Sequence, residues 1–222
     1  MKFSILINCH NQSKYISQCI LSSLNQKYHN FEVIVIDSSS KKMKINKFRN
    51  QKKLKYWHIK QRYKHPEMNQ MYKIMFGFKK TSGDYICLLD GDDKFSNKKL
   101  KKIFNLINSD KINFNQDMPI LINDNNQRKP FFSKSFKKNF IFQKIFISWP
   151  EVFGTSSITI KRKILEKFFI KAKPLKWKLL AIDIQLLIYC KNILKISSKL
   201  ENITFKRKHK NNLGDTYLNI FS

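Results

Sequence analysis

Three short apolar runs, Phe3 to Ile7, Phe31 to Ile36 and Tyr85 to Leu89, each end abruptly at polar residues, and stretches of helical spacing separate them. Runs this short and this continuously apolar read as strands buried on both faces. Between the first two, Ile16, Cys19, Ile20, Ser23 and Leu24 recur at helical spacing. Between the last two come a basic helix, a strand around Tyr56 to Ile59, and a helical face of Met68, Met71, Tyr72, Met75 and Phe76 that Ser82-Gly83 ends. Strands alternating with helices confine the chain to the α/β class, with a mainly parallel, mixed sheet flanked by helices. In such sheets ligands bind at the carboxyl ends of the strands. Asn8 to Asn11, Asp37 and Asp90 to Asp93 all fall at those ends.

The third run, Leu88-Leu89-Asp90-Gly91-Asp92-Asp93, places three carboxylates within four residues. The chain has only 15 Asp and Glu residues against 44 Lys and Arg, a formal charge of +29. Crowded carboxylates repel and resist ionisation unless a cation intervenes. Hard divalent cations such as Mg²⁺ or Mn²⁺ prefer such ligands and bridge them to phosphates. An acidic turn capping the following helix would read the same in isolation. The positive charge favours anionic partners: phosphorylated substrates, nucleic acid or an anionic lipid surface.

At 222 residues the chain is expected to form a single domain. Cys9, Cys19, Cys87 and Cys190 have no Cys-x-x-Cys spacing, and most sit in apolar patterns that read as core. The first strand is too short for a signal peptide, and Leu179 to Cys190 is too short and too interrupted to span a bilayer. A cytoplasmic protein, peripheral to a membrane at most, is the expectation. Asn97 to Ile107 reads as a basic amphipathic helix. Beyond residue 108 the pattern loosens: a polar loop at Asn123 to Lys129, a strand at Ser156 to Ile160, helices at Lys163 to Phe169 and Leu179 to Asn192, and a last strand at Asn202 to Lys206 before a basic tail.

Taken together, these landmarks resemble the family 2 glycosyltransferases of the GT-A fold. The resemblance rests on Asn8-Cys9-His10-Asn11, on Ser22-Ser23-Leu24-Asn25-Gln26, on Asp37-Ser38-Ser39-Ser40, and on Gly83-Asp84-Tyr85-Ile86-Cys87-Leu88-Leu89-Asp90-Gly91-Asp92-Asp93. Ser38 and Ile182 stand where the family has acids. The resemblance implies a nucleotide-sugar half over 1–108 and an acceptor half with the basic tail over 109–222. It implies that Asn8, His10, Asn11, Asp37 and Asp90 hold the nucleotide, that Arg207 approaches its diphosphate, and that Asp92, Asp90 and His209 bind Mn²⁺ or Mg²⁺. By the same resemblance, Asp93 is expected to support the site from behind.

It also implies an inverting reaction, with Asp183 as the general base that deprotonates an acceptor hydroxyl. A carboxylate at a helix start favoured by the dipole would look the same. Gly154, Thr155 and Ser156 match a segment on the acceptor side; a plain turn before a strand is the simpler reading. Arg207-Lys208-His209-Lys210 could equally be a solvated basic tail.

The expected reaction is transfer from a nucleotide-diphospho-sugar, a UDP-sugar by resemblance, to a glycan or lipid-linked acceptor in cell-surface polysaccharide synthesis. Phe132, Phe136 and Phe140 with interleaved lysines fit either a membrane interface or a core-packing helix. The competing class is a non-catalytic polyanion binder on the same scaffold. The acidic cluster argues against it, and no nucleic-acid-binding motif is present.

Overall fold

The computed structural model describes residues 1–131, 152–191, 196–197 and 199–209. The aromatic and basic segment around Phe132, Phe136 and Phe140 lies outside the described residues, as do Lys210 and all that follows it. The strands are β1 (Phe3–Cys9), β2 (Phe31–Asp37), β3 (Leu54–His58), β4 (Tyr85–Asp90), β5 (Lys94–Phe95), β6 (Phe114–Gln116), β7 (Met118–Ile122), β8 (Arg128–Pro130), β9 (Ile158–Lys161), β10 (Ile196–Ser197) and β11 (Glu201–Arg207). The α-helices are α1 (Ile16–Leu24), α2 (Pro66–Phe78), α3 (Lys99–Asp110), α4 (Arg162–Lys171) and α5 (Ile182–Lys191).

One sheet runs β10-β6-β9-β4-β1-β2-β3. β1, β2, β3 and β4 are parallel neighbours, and β9 lies antiparallel to both β4 and β6. β1, β2 and β4 are buried nearly end to end and mostly apolar, because both faces of the sheet are covered there. Ile5, Ile7, Val33, Val35, Cys87 and Leu89 pack on one side with residues of α1 and α3. Leu6, Ile34, Ile36, Ile86 and Leu88 pack on the other with α2, α4 and α5. Successive residues point to opposite faces, so the period of two divides each strand between the two cores. All four cysteines are buried and unbridged.

The register is what builds the site. Asn8 of β1 pairs with Asp90 of β4, and Cys9 pairs with Asp37 of β2. The polar ends of three parallel strands therefore meet in one row.

A second sheet runs β5-β11-β7-β8. Its strands are short, and the sequence signals neither β5 nor the β7–β8 hairpin. β11 enters between β5 and β7, with Thr204 opposite Phe95 and Arg207 opposite Ile122. The basic stretch read as a tail thus closes on the acidic turn between β4 and β5. The basic helix expected after β2 is reduced to one 3-10 turn, Asn46–Phe48. Only Met43 and Phe48 of residues 40–50 are buried, too few to hold an amphipathic helix on the sheet. No helix among the described residues is long and apolar enough to cross a membrane.

Candidate active site

At the end of β1, Asn8 is buried and donates from Nδ2 to Asp90 Oδ1 at 2.7 Å. Gln70, on α2, donates to the same oxygen at 2.9 Å. The backbone N–H of Asp90 donates to Ser156 Oγ at 3.0 Å. Burial, reinforced by the nearby Asp92 charge, pushes the Asp90 carboxyl up to about 6, against the pull of Asn8, Lys206 and Gln70.

Asp92 lies 2.9 Å from His209 Nε2 through its Oδ2. The His209 ring stacks on Tyr15 with centroids 5.1 Å apart. Asp93 turns inward. Its Oδ2 accepts from Ser156 Oγ at 2.5 Å and its Oδ1 from the Arg207 backbone N–H at 2.7 Å. Burial raises the Asp93 carboxyl well above its ordinary range, and Asp92 and Asp90 add to the effect. Three adjacent acids thus have three environments: one partly open, one on an imidazole, one buried as a brace.

The loop after β1 is tied to the loop after β2. Asn11 takes a left-handed conformation, φ 53°, and its N–H donates to Ser39 Oγ at 2.8 Å. Its Oδ1 accepts the Ser40 N–H at 3.1 Å. His10 Nδ1 sits 2.7 Å from the Ser38 carbonyl. Gln61 lies within 3.1 Å of both His10 ring nitrogens.

Asp37, expected at the base or ribose, is fully buried. It accepts from the Ser39 N–H at 2.8 Å, the Met43 N–H at 3.2 Å and the Tyr56 hydroxyl at 2.5 Å. Burial alone would raise its carboxyl; these hydrogen bonds outweigh it and hold it below the usual range. Its observed role is to shape the loop that carries Ser38 and Ser39.

Arg207, expected at the diphosphate, is 1% exposed. Its guanidinium donates to the Asp92 carbonyl at 3.1 Å, the Asn123 carbonyl at 2.9 Å and Gln18 Oε1 at 3.0 Å, and lies 4.7 Å from the Tyr15 ring centroid. Arg207 therefore supports the acidic turn from beneath. Neither Arg207 nor His209 belongs to a solvated tail.

Asp183 occupies the first turn of α5, is 9% exposed, and accepts the Ile184 N–H at 2.9 Å. Burial raises its carboxyl, and Lys206 is the main opposing influence. Lys206 exerts the same pull on Asp90, so one ammonium on β11 lies within electrostatic reach of both carboxylates. Gly154, at φ 92°, makes room for it: a Cβ there would stand 2.5 Å from Lys206 Nζ. Thr155 and Ser156 follow in a 3-10 turn. Both are buried; Thr155 accepts from Gln70 at 3.4 Å and Ser156 bridges Asp90 and Asp93. This segment thus braces the acidic turn.

Sequence reading missed Lys206, Gln70 and Lys73. Lys73 is 5% exposed and donates to the Cys9 carbonyl at 3.1 Å. Burial lowers its pKa, while the charges of Asp90, Asp37 and Asp92 work against that. Its only signal was a lysine inside an apolar helical face.

Among the described residues, no three His, Cys, Asp or Glu side chains are gathered into a preformed metal cage. The Asp90 and Asp92 carboxylates offer the oxygen ligands that hard divalent cations prefer, and the His209 imidazole lies against Asp92.

Comparison with known proteins agrees with this geometry. The family model described as glycosyl transferase family 2 matches residues 4–169. An uncharacterized glycosyltransferase of Rickettsia bellii is 32% identical over 165 residues, covering 71% of this chain and 23% of its own. The chain spans less than two thirds of the length of the curated relatives it matches first. Staphylococcus aureus TarS 1-349, solved with UDP-GlcNAc, superimposes with a TM-score of 0.65 at 18% identity, covering 96% of this chain and 60% of that one. The mannosyltransferase PcManGT of Pyrobaculum calidifontis, solved with GDP-Man and Mn²⁺, gives 0.69 at 11% identity, covering 97% and 59%. With its polar strand ends in one row and the family match over most of its length, the chain belongs to the family 2 glycosyl transferases and has the GT-A fold.

Proposed function

We propose that this chain transfers a sugar from a nucleoside diphosphate donor, a UDP-sugar, to an acceptor hydroxyl with inversion at the transferred carbon. The observation that carries the proposal is the row of polar strand ends, in which Asn8 and Gln70 hold the Asp90 carboxylate at 2.7 and 2.9 Å at the head of the acidic turn. Lys206 influences both Asp90 and the buried Asp183, which links that turn to a carboxylate suited to a base.

Asn8 and Gln70 fix the Asp90 carboxylate, and His10 and the Ser38 loop offer a wall for the base. Asp90, Asp92 and His209 would hold Mn²⁺ or Mg²⁺, which when bound neutralises charge on the departing diphosphate. Lys206 supplies a further positive charge for that leaving group. Asp183 accepts the acceptor's hydroxyl proton, and its raised pKa makes it a stronger base than an exposed carboxylate.

We place the acceptor at a lipid surface, as a lipid-linked glycan in polysaccharide synthesis. Ile170, Trp177 and Leu179 are 69%, 58% and 67% exposed, among Lys167, Lys171, Lys173, Lys176 and Lys178 and a few residues before Asp183. Aromatic and aliphatic side chains ringed by lysines suit an anionic bilayer interface.

A donor screen that measures nucleoside diphosphate release with and without Mn²⁺ tests the reading. Metal-dependent release from a UDP-sugar is the expected result. Stabilisation by any polyanion regardless of metal, with no release, would favour a polyanion-binding protein instead.

A further inference from the structure

A surface cavity of about 410 Å³ lies beside the second sheet, on the flank of the acidic turn, with Lys94 directly after Asp93 among its lining residues. The loop of Asn8 to Asn11 precedes α1, whereas Asn25, at its C-terminal end, lines the cavity. The nine residues of α1 separate that loop from Asn25 by about 13 Å at 1.5 Å per residue.

Lys94 and Arg128 both line this cavity, and no carboxylate does among the described residues. Asn25, Asn97 and Asn126 line the same cavity. Lys94 Nζ donates to Asn126 Oδ1 at 2.7 Å. The Arg128 guanidinium lies 5.1 Å from the Phe205 ring centroid, a contact that holds its planar fork in place. Burial depresses the Lys94 ammonium, and the charges of Arg207 and Arg128 depress it further.

Two cations lining one cavity, with no carboxylate among its described lining residues, favour an anion there. An arginine fork beside an ammonium and amide donors is the chemistry that recognises phosphate oxygens. We infer that this cavity binds a phosphoryl group, at a second site separate from the donor's diphosphate. The volume admits a pyrophosphate or a phosphorylated headgroup. The cavity touches the catalytic region through β5, which begins immediately after Asp93, and through β11, where Phe205 precedes Lys206 and Arg207 by one and two residues.

The test is calorimetric titration of the whole chain with inorganic pyrophosphate, in EDTA so that no cation equips the acidic turn. Saturable binding is expected. Lys94→Gln with Arg128→Gln should weaken it by more than roughly tenfold, because charge-assisted hydrogen bonds are lost. Lys101→Gln with Lys102→Gln, which removes two exposed lysines of α3, should leave it unchanged. A parallel arm compares vesicles of phosphatidylcholine with and without phosphatidic acid. Sensitivity to the Lys94 and Arg128 changes in the pyrophosphate arm supports a soluble ligand, and in the vesicle arm alone a lipid headgroup. Arg128→Lys keeps the charge and should retain part of the binding, which separates a lost site from a lost fold. Equal losses in the Lys101/Lys102 control, or no loss in either arm for the double variant, would overturn the inference.

Discussion

His209 Nε2 sits 2.9 Å from Asp92 Oδ2, joining residues 117 positions apart in the chain. The contact depends on β11, which carries the basic stretch back onto the acidic turn through its pairing with β5 and β7. Tyr15 fixes the imidazole plane by stacking. The pair forms a hydrogen bond in the structure, and on the proposed reading a shared cation takes the place of that contact.

The first prediction follows from that reading. UDP should raise the melting temperature only when Mn²⁺ or Mg²⁺ is present, by the free energy of binding to the native state. Asp92→Asn should remove the gain. His209→Ala should weaken the apparent affinity for the metal by roughly tenfold or more, as loss of a ligand or of a group that orients one does. An unchanged metal-dependent shift in both variants would exclude this pair from the cation site.

Gly83 supports a second prediction, about the fold. A Cβ at this position would lie 2.6 Å from the backbone nitrogen of Ser4 and 2.7 Å from the Phe3 carbonyl carbon. These are backbone atoms of a buried central strand, so the contact cannot be relieved by rotating a side chain. Gly83→Ala should cost about 1–3 kcal/mol in chemical denaturation, as overpacking does. A loss well below that would mean that β1 and the turn before β4 can move apart.

How far the sequence foretold this arrangement depended on whether signals were local. The parallel strands β1, β2 and β4 were readable because burial on both faces makes them continuously apolar, and their polar ends marked the site. α1 and α2 were readable from helical spacing. β5 to β8 were not, because two to five residues give no period and their partners lie far along the chain. The roles of Arg207 and Ser156 were hidden for the same reason. Each is polar, and only tertiary contacts turn it from the substrate toward the acidic turn. Lys99 shows the limit most clearly: in the sequence it is one more lysine on a basic helix, yet in the structure it is fully buried.

Lys99 carries the third prediction. Its ammonium donates to Asp117 Oδ1 at 2.7 Å, to Thr204 Oγ1 at 2.7 Å and to the Ser156 carbonyl at 3.2 Å. It thereby ties α3 and β11 to the turn that braces Asp93. Lys99→Met leaves Asp117 buried without its countercharge and should cost about 3–5 kcal/mol. Lys99→Met with Asp117→Leu should recover most of that loss, since no buried charge remains. If the double variant is as unstable as the single one, the ion pair is not the source of the effect.

The fourth prediction concerns the lipid surface. Trp177→Ala with Leu179→Ser should reduce binding to phosphatidylglycerol vesicles by roughly tenfold in a sedimentation assay, since apolar insertion contributes alongside charge. Phosphatidylcholine vesicles should bind weakly in either case, and salt should weaken the anionic binding. Undiminished binding by the variant would leave this face with no part in membrane contact.

The last prediction sets activity against stability at one residue. Asp183 is held in a buried place where its carboxyl is raised, chiefly by desolvation, with Lys206 opposing. A carboxyl whose folded pKa exceeds its unfolded value binds its proton more tightly in the native state. Stability therefore falls as pH rises from the unfolded pKa through the folded one, and above both the ionised group carries its full cost. Asp183→Asn removes that charge, so at neutral pH the variant should melt higher than the parent. The gap should close as pH falls below the ordinary carboxylate range, where the parent's Asp183 is protonated in both states. Turnover should fall about 10²- to 10⁴-fold, the usual share of a general base, while metal-dependent UDP binding persists. The parent's turnover should fall on the acid side as Asp183 becomes protonated, on a limb set above the ordinary carboxylate pKa. A variant that is both active and no more stable would show that Asp183 serves only to begin α5. One that is inactive and more stable would show that the chain keeps a destabilising charge where the reaction uses it.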